Sequence, residues 1–226
     1  FSPDIVQPTG TLDIDLRVAG TRAQPHLGGT GSLQGFSTEL PALGIAVQQG
    51  GAQLQALPDG SARIRGSLRT VNGKATDSAA GVLQIDGSLG WRDATTPLQL
   101  TLRGTDVLLA DTRQLRLLAS PDLHVGYRAG TPLQVRGAVV VAEADLHLEK
   151  LELGVSPSSD VVVRDPDTPG QGPGLPTDIE IALTAGARVR IDGYGLNGSL
   201  AGQLRVRQPP GGAARATGTL EVGGRY

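Results

Sequence analysis

The chain of 226 residues carries 33 Gly and 15 Pro, with 38% hydrophobic but only 3% aromatic residues and no Cys. Such a composition predicts many short strands and turns, with Leu, Val, Ile and Ala rather than aromatic rings as the apolar surface. A formal charge of −2 excludes the broad positive field that nucleic-acid binding needs, and the missing cysteines exclude disulfides and thiolate metal sites while leaving the redox compartment open.

Along the chain the dominant period is two. In LDIDLRVAG (12–20), Leu12, Ile14, Leu16 and Val18 share one face against Asp13, Asp15 and Arg17. The same alternation predicts strands at 82–91, 97–104, 132–141, 178–186, 187–193 and 199–206, most of them ending at Gly. Counting further segments of this kind gives roughly a dozen strands, and none sustains the i, i+3, i+4, i+7 spacing of a capped helix. The reading is an all-β fold, a long antiparallel meander with almost no helix. Residues 156–177 break the rhythm, and the Pro/Gly-rich stretch 164–177 is expected to be a flexible loop. Strands resume beyond it with the same alternation, so residues 1–226 are read as one elongated β domain.

No apolar run approaches the roughly 20 residues that span a bilayer, and FSPDIVQPTG at the start lacks the basic and apolar regions of a signal peptide. With Met absent even at position 1, the chain is expected to be a piece of a larger protein, its anchor lying elsewhere. A dozen strands at about 4.8 Å would make a sheet on the order of 55–60 Å long. Its greasy face must be covered by another sheet, by its own curvature, or by an apolar ligand. Aliphatic walls without bulky fillers favour curling around a groove.

Motifs that suggest chemistry have plainer readings. Gly193-Tyr194-Gly195-Leu196-Asn197-Gly198 fits G-x-G-x-x-G, but the period-two SLAGQLRV follows where a dinucleotide fold needs a helix, so the glycines are assigned to a strand-to-strand turn. His26, His124 and His147 have no metal-ligand spacing, and nothing local joins one of them to Ser120 or Ser156 as a triad. The sequon Asn197-Gly198-Ser199 and the pair Asp165/Asp167 are common in turns. Arg63/Arg65, Arg188/Arg190 and Arg205/Arg207 are spaced i, i+2, which puts each pair on the face opposite the aliphatic residues, as a solvated outer surface or a contact for anionic headgroups. No enzyme, cofactor or metal is expected.

The segments PALGIAVQQ (41–49), GWRDATTPLQLTLRGTDV (90–107), ASPDLHV (119–125), GVSPSSDVVV (154–163) and VRIDGYGLNGSLAGQLRV (189–206) occur in this order. Together they resemble the C-terminal domain of the TamB family, over most of the chain. The resemblance implies AsmA-like bridge proteins anchored in the inner membrane of a Gram-negative bacterium, crossing the periplasm to an outer-membrane barrel partner, TamA or BamA. It also implies a taco-shaped sheet with a greasy concave interior. The chain stops at GGRY (223–226), so contact with the barrel is expected to involve regions partly outside it.

Together these readings point to passive conduction of phospholipid for outer-membrane biogenesis. Acyl chains would lie against Leu83, Ile85, Leu89, Leu98, Leu100, Leu102, Leu133, Val135, Ile179, Ile181, Leu183, Val189, Ile191, Leu200, Leu204 and Val206, with headgroups in water along an open seam. The alternative is a helper for outer-membrane protein and autotransporter assembly that pairs its strand edges with a client. A carbohydrate-active β enzyme would need a carboxylate pair and aromatic platforms, and the chain has six aromatic residues in all.

Overall fold

A computed structural model of the chain describes residues 6–21, 24–72, 81–92, 95–148, 175–193 and 196–225. Twelve strands occupy most of them. The first six are β1 (Val6–Thr21), β2 (Gln24–Leu40), β3 (Ile45–Leu57), β4 (Ser61–Asn72), β5 (Val82–Gly90) and β6 (Leu98–Gly104). The rest are β7 (Val107–Asp111), β8 (Leu115–Tyr127), β9 (Leu133–Leu148), β10 (Thr177–Gly193), β11 (Leu196–Gln208) and β12 (Arg215–Arg225). The one helical element among the described residues is a 3-10 turn at Pro41–Leu43, ended by Gly44 at φ 66. All twelve strands belong to one curved open sheet, so the all-β trough expected from the sequence is the fold.

The sheet runs β1-β2-β3-β4-β5-β6-β8-β9-β10-β11-β12, with β7 attached to β8 off that path. Eleven strands abreast give about 48 Å rather than a full dozen spacings. Every neighbouring pair is antiparallel except β9 and β10, which run parallel from Leu133 beside Thr177 to residue 148 beside Gly193. This departs from a pure meander. A parallel neighbour requires the chain to return to the same end of the sheet, which takes a connection of a dozen or more residues, and residues 149–176 supply it. Most of the stretch expected to be a flexible loop lies outside the described residues. Its last three do not: the Leu133 N–H donates to the Pro176 carbonyl at 2.8 Å, and Thr177 already begins β10. The segments 178–186 and 187–193 are likewise one strand, with a register shift near Gly186 in place of a break.

Among the described residues, the cluster of buried side chains that packs as a core lies along one rim of the trough. There β6 ends, the chain steps outward at Asp106 (φ 50), and the Asp106 N–H donates to Ser120 Oγ at 3.1 Å. β7 then takes up pairing with Arg116–Ala119 of β8, whereas β6 pairs with Asp122–Tyr127. Pro121, which has no N–H for a ladder, falls in the gap between the two pairings. Val107, Leu108 and Ala110 of β7 are buried, and Leu108 packs on Ile45, Leu40 and Leu118. Thr70 Oγ1 seals the contact by donating to the Leu108 carbonyl at 2.6 Å.

This difference between rim and trough is measurable. Leu108→Ala is expected to cost about 2–5 kcal/mol in urea unfolding, because it leaves a cavity in a closed cluster. Leu100→Ala, at a half-buried position on the trough face, is expected to cost clearly less.

Candidate functional site

Residues paired across a ladder point to the same side of a sheet, so the register decides which side chains form a continuous surface. Followed from β1 to β12, one row reads Leu12, Leu33, Ala52, Gly66, Ile85, Leu102, Leu123, Gly137, Ile181, Val206, Ala216. It crosses eleven strands without a polar side chain. The adjacent row on the opposite face reads Asp13, Ser32, Gln53, Arg65, Asp86, Thr101, His124, Arg136, Glu180, Arg207, Arg215. It contains no apolar one.

The sixteen predicted lining residues all fall on the apolar face. Leu89 pairs with Leu98 and Ile85 with Leu102, while Leu83 lies opposite Gly104 and Leu100 opposite Gly87. Further along, Val135 pairs with Ile179, Ile181 with Val206, Leu183 with Leu204, and Leu133 lies beside Thr177. Ile191 and Leu200 are half-buried, as are the others, and Val189 is buried opposite Ala144. In β6, Leu98, Leu100 and Leu102 are half-buried and Gln99 and Arg103 exposed, but Thr101 on the outer face is half-buried as well, so the alternation of exposure is broken there. Sequence reasoning missed Leu123 and Val125 of β8, which bridge β6 to β9, and Leu33, Leu54 and Ile64 on β2, β3 and β4. In those strands Gly31, Ala52 and Gly66 occupy alternate trough positions, which dilutes the aliphatic alternation without adding polarity.

At the two outermost strands the apolar face is open to solvent. Leu12, Ile14, Leu16 and Val18 of β1 are 53% to 73% exposed, and Val222 of β12 is 57% exposed. The outer face is held by cross-strand ion pairs, Arg65 to Asp86 at 3.8 Å, Arg103 Nε to Asp122 at 3.0 Å and Arg188 to Glu143 at 3.3 Å. Exposed pairs of this kind contribute little stability; their effect is to keep that face wet and the register defined. Arg136 clamps the parallel junction, donating to both the carbonyl and the carboxylate of Asp178 at 2.7 and 2.5 Å.

The residues set aside as chemistry take structural places. Gly193 pairs with Leu196 across the β10–β11 connection, and a strand follows the G-x-G-x-x-G stretch. His124 and His147 are exposed, and the Ser120 hydroxyl accepts the Asp106 N–H. The sequon at Asn197–Ser199 lies in β11 rather than in a turn. Arg63/Arg65, Arg188/Arg190 and Arg205/Arg207 are all exposed on the outer face. Ser156 and Asp165/Asp167 lie outside the described residues. Asp59 has its carboxyl held below the usual carboxylate range by the Ser61 hydroxyl, which donates at 2.6 Å, with Arg92 adding to the effect. That is a turn contact at the β3–β4 connection. Among the described residues no group of three or more His, Cys, Asp or Glu could hold a metal ion, and no helix is long and apolar enough to cross a membrane.

A family model for the TamB C-terminal domain matches residues 69–226. The chain belongs to the TamB family. The matched span holds everything from the end of β4 to β12, including all sixteen predicted lining residues. No solved structure matches the chain. Membership assigns the TamB domain to the translocation and assembly module of outer-membrane biogenesis, among inner-membrane-anchored proteins that span the periplasm. The family is a transport and assembly module rather than a known enzyme family, and its members associate with the TamA barrel.

Proposed function

We propose that the trough carries phospholipid between the inner and outer membranes, with acyl chains against the aliphatic face and headgroups in water. The observation that supports this reading is the apolar row from Leu12 to Ala216, which runs across the strands and therefore along the length of the trough. A 16-carbon chain removed from water gains roughly 12 kcal/mol at about 0.8 kcal/mol per CH₂. A lining without polar contacts leaves that gain nearly the same at each position, so a chain moves along the row without a deep trap. Among the described residues the apolar face continues, exposed, onto the outermost strands β1 and β12.

Two measurements test this. Lipid extracted from the purified domain and analysed by mass spectrometry should contain phospholipid. A photo-crosslinking residue at position 102 should capture lipid, while the same residue at 103 should not. Clean protein, or equal labelling at the two positions, would overturn the reading.

The second reading, assembly of outer-membrane proteins by strand addition, is favoured by the outer backbone edges of β1 and β12, which pair with no strand among the described residues. It predicts affinity for an extended client peptide in lipid-free protein.

A further inference from the structure

The charge pattern of the outer face contains one exception. Among the described residues, oppositely charged side chains stand directly opposite one another across the ladder eight times: Arg65/Asp86, Arg103/Asp122, Arg116/Asp111, Arg116/Asp145, Arg136/Glu180, Arg188/Glu143, Arg190/Asp145 and Arg207/Glu180. Among the described residues like charges face each other once, where Arg207 of β11 meets Arg215 of β12. Like charges directly opposite are destabilising in a sheet. Arg207 reaches Glu180 only at 4.0 Å, and no described carboxylate lies within ion-pair distance of Arg215.

The space beside these two guanidinium groups is shaped. A concavity of about 390 Å³ is lined by Arg207, Pro209, Gly212, Ala213, Arg215 and Thr217. Its floor is a tight turn in which the Gly212 N–H donates to the Pro209 carbonyl at 2.9 Å and Gly211 takes φ 68. Residues 196–225 carry four arginines against one glutamate, a net of +3 in a chain whose total is −2. This hairpin is therefore locally positive, as is β4 with Arg63, Arg65 and Arg69 and no acidic residue.

We propose that Arg207 and Arg215 form a binding site for the phosphate of an anionic phospholipid headgroup. Two planar guanidinium forks facing one gap match the bidentate geometry of a phosphodiester, whose charge removes the repulsion between them. The proposal rests on the acyl-chain reading of the trough and adds the headgroup to it. Val206 and Ala216, the immediate chain neighbours of the two arginines, face the apolar side and pair with each other. A lipid held at the arginines thus has its tails one residue away from the acyl path, around the end of the β11–β12 hairpin.

The test is flotation of the domain with vesicles of phosphatidylcholine alone or containing phosphatidylglycerol, at low ionic strength. Arg207→Gln with Arg215→Gln should weaken binding to the phosphatidylglycerol vesicles roughly thirty-fold. Arg63→Gln with Arg65→Gln, the same change of charge elsewhere on the outer face, should stay within about threefold. The arginine variant should unfold at the wild-type temperature or above it, because a repulsive pair has been removed. Equal losses in both double variants would mean a diffuse field and overturn the site, as would an undiminished affinity in the first. Saturable binding of inorganic phosphate alone, with no preference for vesicles, would overturn the headgroup assignment. The trough reading is separable, because its failure would show as equal lipid labelling at positions 102 and 103 in wild-type protein, whatever the vesicle binding of the arginine variant.

Discussion

A protein carrying Leu100→Asp or Leu204→Asp should fold, accumulate normally and fail to restore the outer-membrane barrier. Leu100 stands between Gly87 and Val125, and Leu204 between Leu183 and Gly218, in the middle of the trough face. An aspartate there puts a charge in the path of the acyl chains, and an unpaired charge in apolar surroundings costs several kcal/mol even after relaxation. Folding should survive because both positions are half-buried in an open trough. At Leu100, the missing side chain of Gly87 also leaves room for a polar group to bend toward water. Gln99→Glu, one residue along on the exposed face, should be neutral. The assay is complementation of a permeability defect by the full-length protein, with circular dichroism of the isolated domain as the folding control. Full complementation by both well-folded trough variants would make strand addition the better account.

A second large effect on stability, besides that of Leu108→Ala, is expected at a glycine. Gly137 sits in the continuous row at φ 143, and a Cβ there would lie 2.1 Å from the Asp122 carbonyl oxygen of the neighbouring strand. Backbone atoms cannot yield as a flexible side chain can. Gly137→Ala must therefore move β8 away from β9 or abandon the φ, and either disturbs the strand that templates β10. The expected cost is about 3 kcal/mol or more, a fall in melting temperature on the order of 6–12 °C for a domain of this size. Gly28→Ala is the control, because its Cβ would meet nothing within 4 Å. That variant should melt within about 2 °C of wild type. Equal melting of the two variants would show that the close approach at Gly137 is relieved elsewhere.

The strands that were legible are those whose two faces differ most. Leu98, Leu100 and Leu102 against Gln99 and Arg103 identify β6 and its buried side at once, and β5, β10 and β11 follow the same rule. What period two does not carry is direction, since a parallel and an antiparallel strand have the same alternation; the β9–β10 pair was hidden for that reason. β7 was hidden because its adjacent residues Val107 and Leu108 are both buried, which removes the alternation altogether. In β8, Pro121 interrupts a run that would otherwise have pointed to Leu123 and Val125. Register was also beyond the sequence, and with it the opposition of Arg207 and Arg215. The two residues are far enough apart in the chain that only the hairpin brings them together.

The one parallel junction also sets an order of assembly. Every antiparallel neighbour pair joins strands close in the chain, so the entropy lost in closing each loop is small. The parallel pairing must bring Leu133 to Thr177 across the whole of residues 149–176, the most distant closure in the sheet. The chain therefore divides into an early meander from β1 to β9 and a late one from β10 to β12, docked last through the Arg136–Asp178 clamp. During synthesis the edge of β9 waits uncovered until β10 emerges. In that interval the nascent protein is most exposed to mispairing with other extended chains.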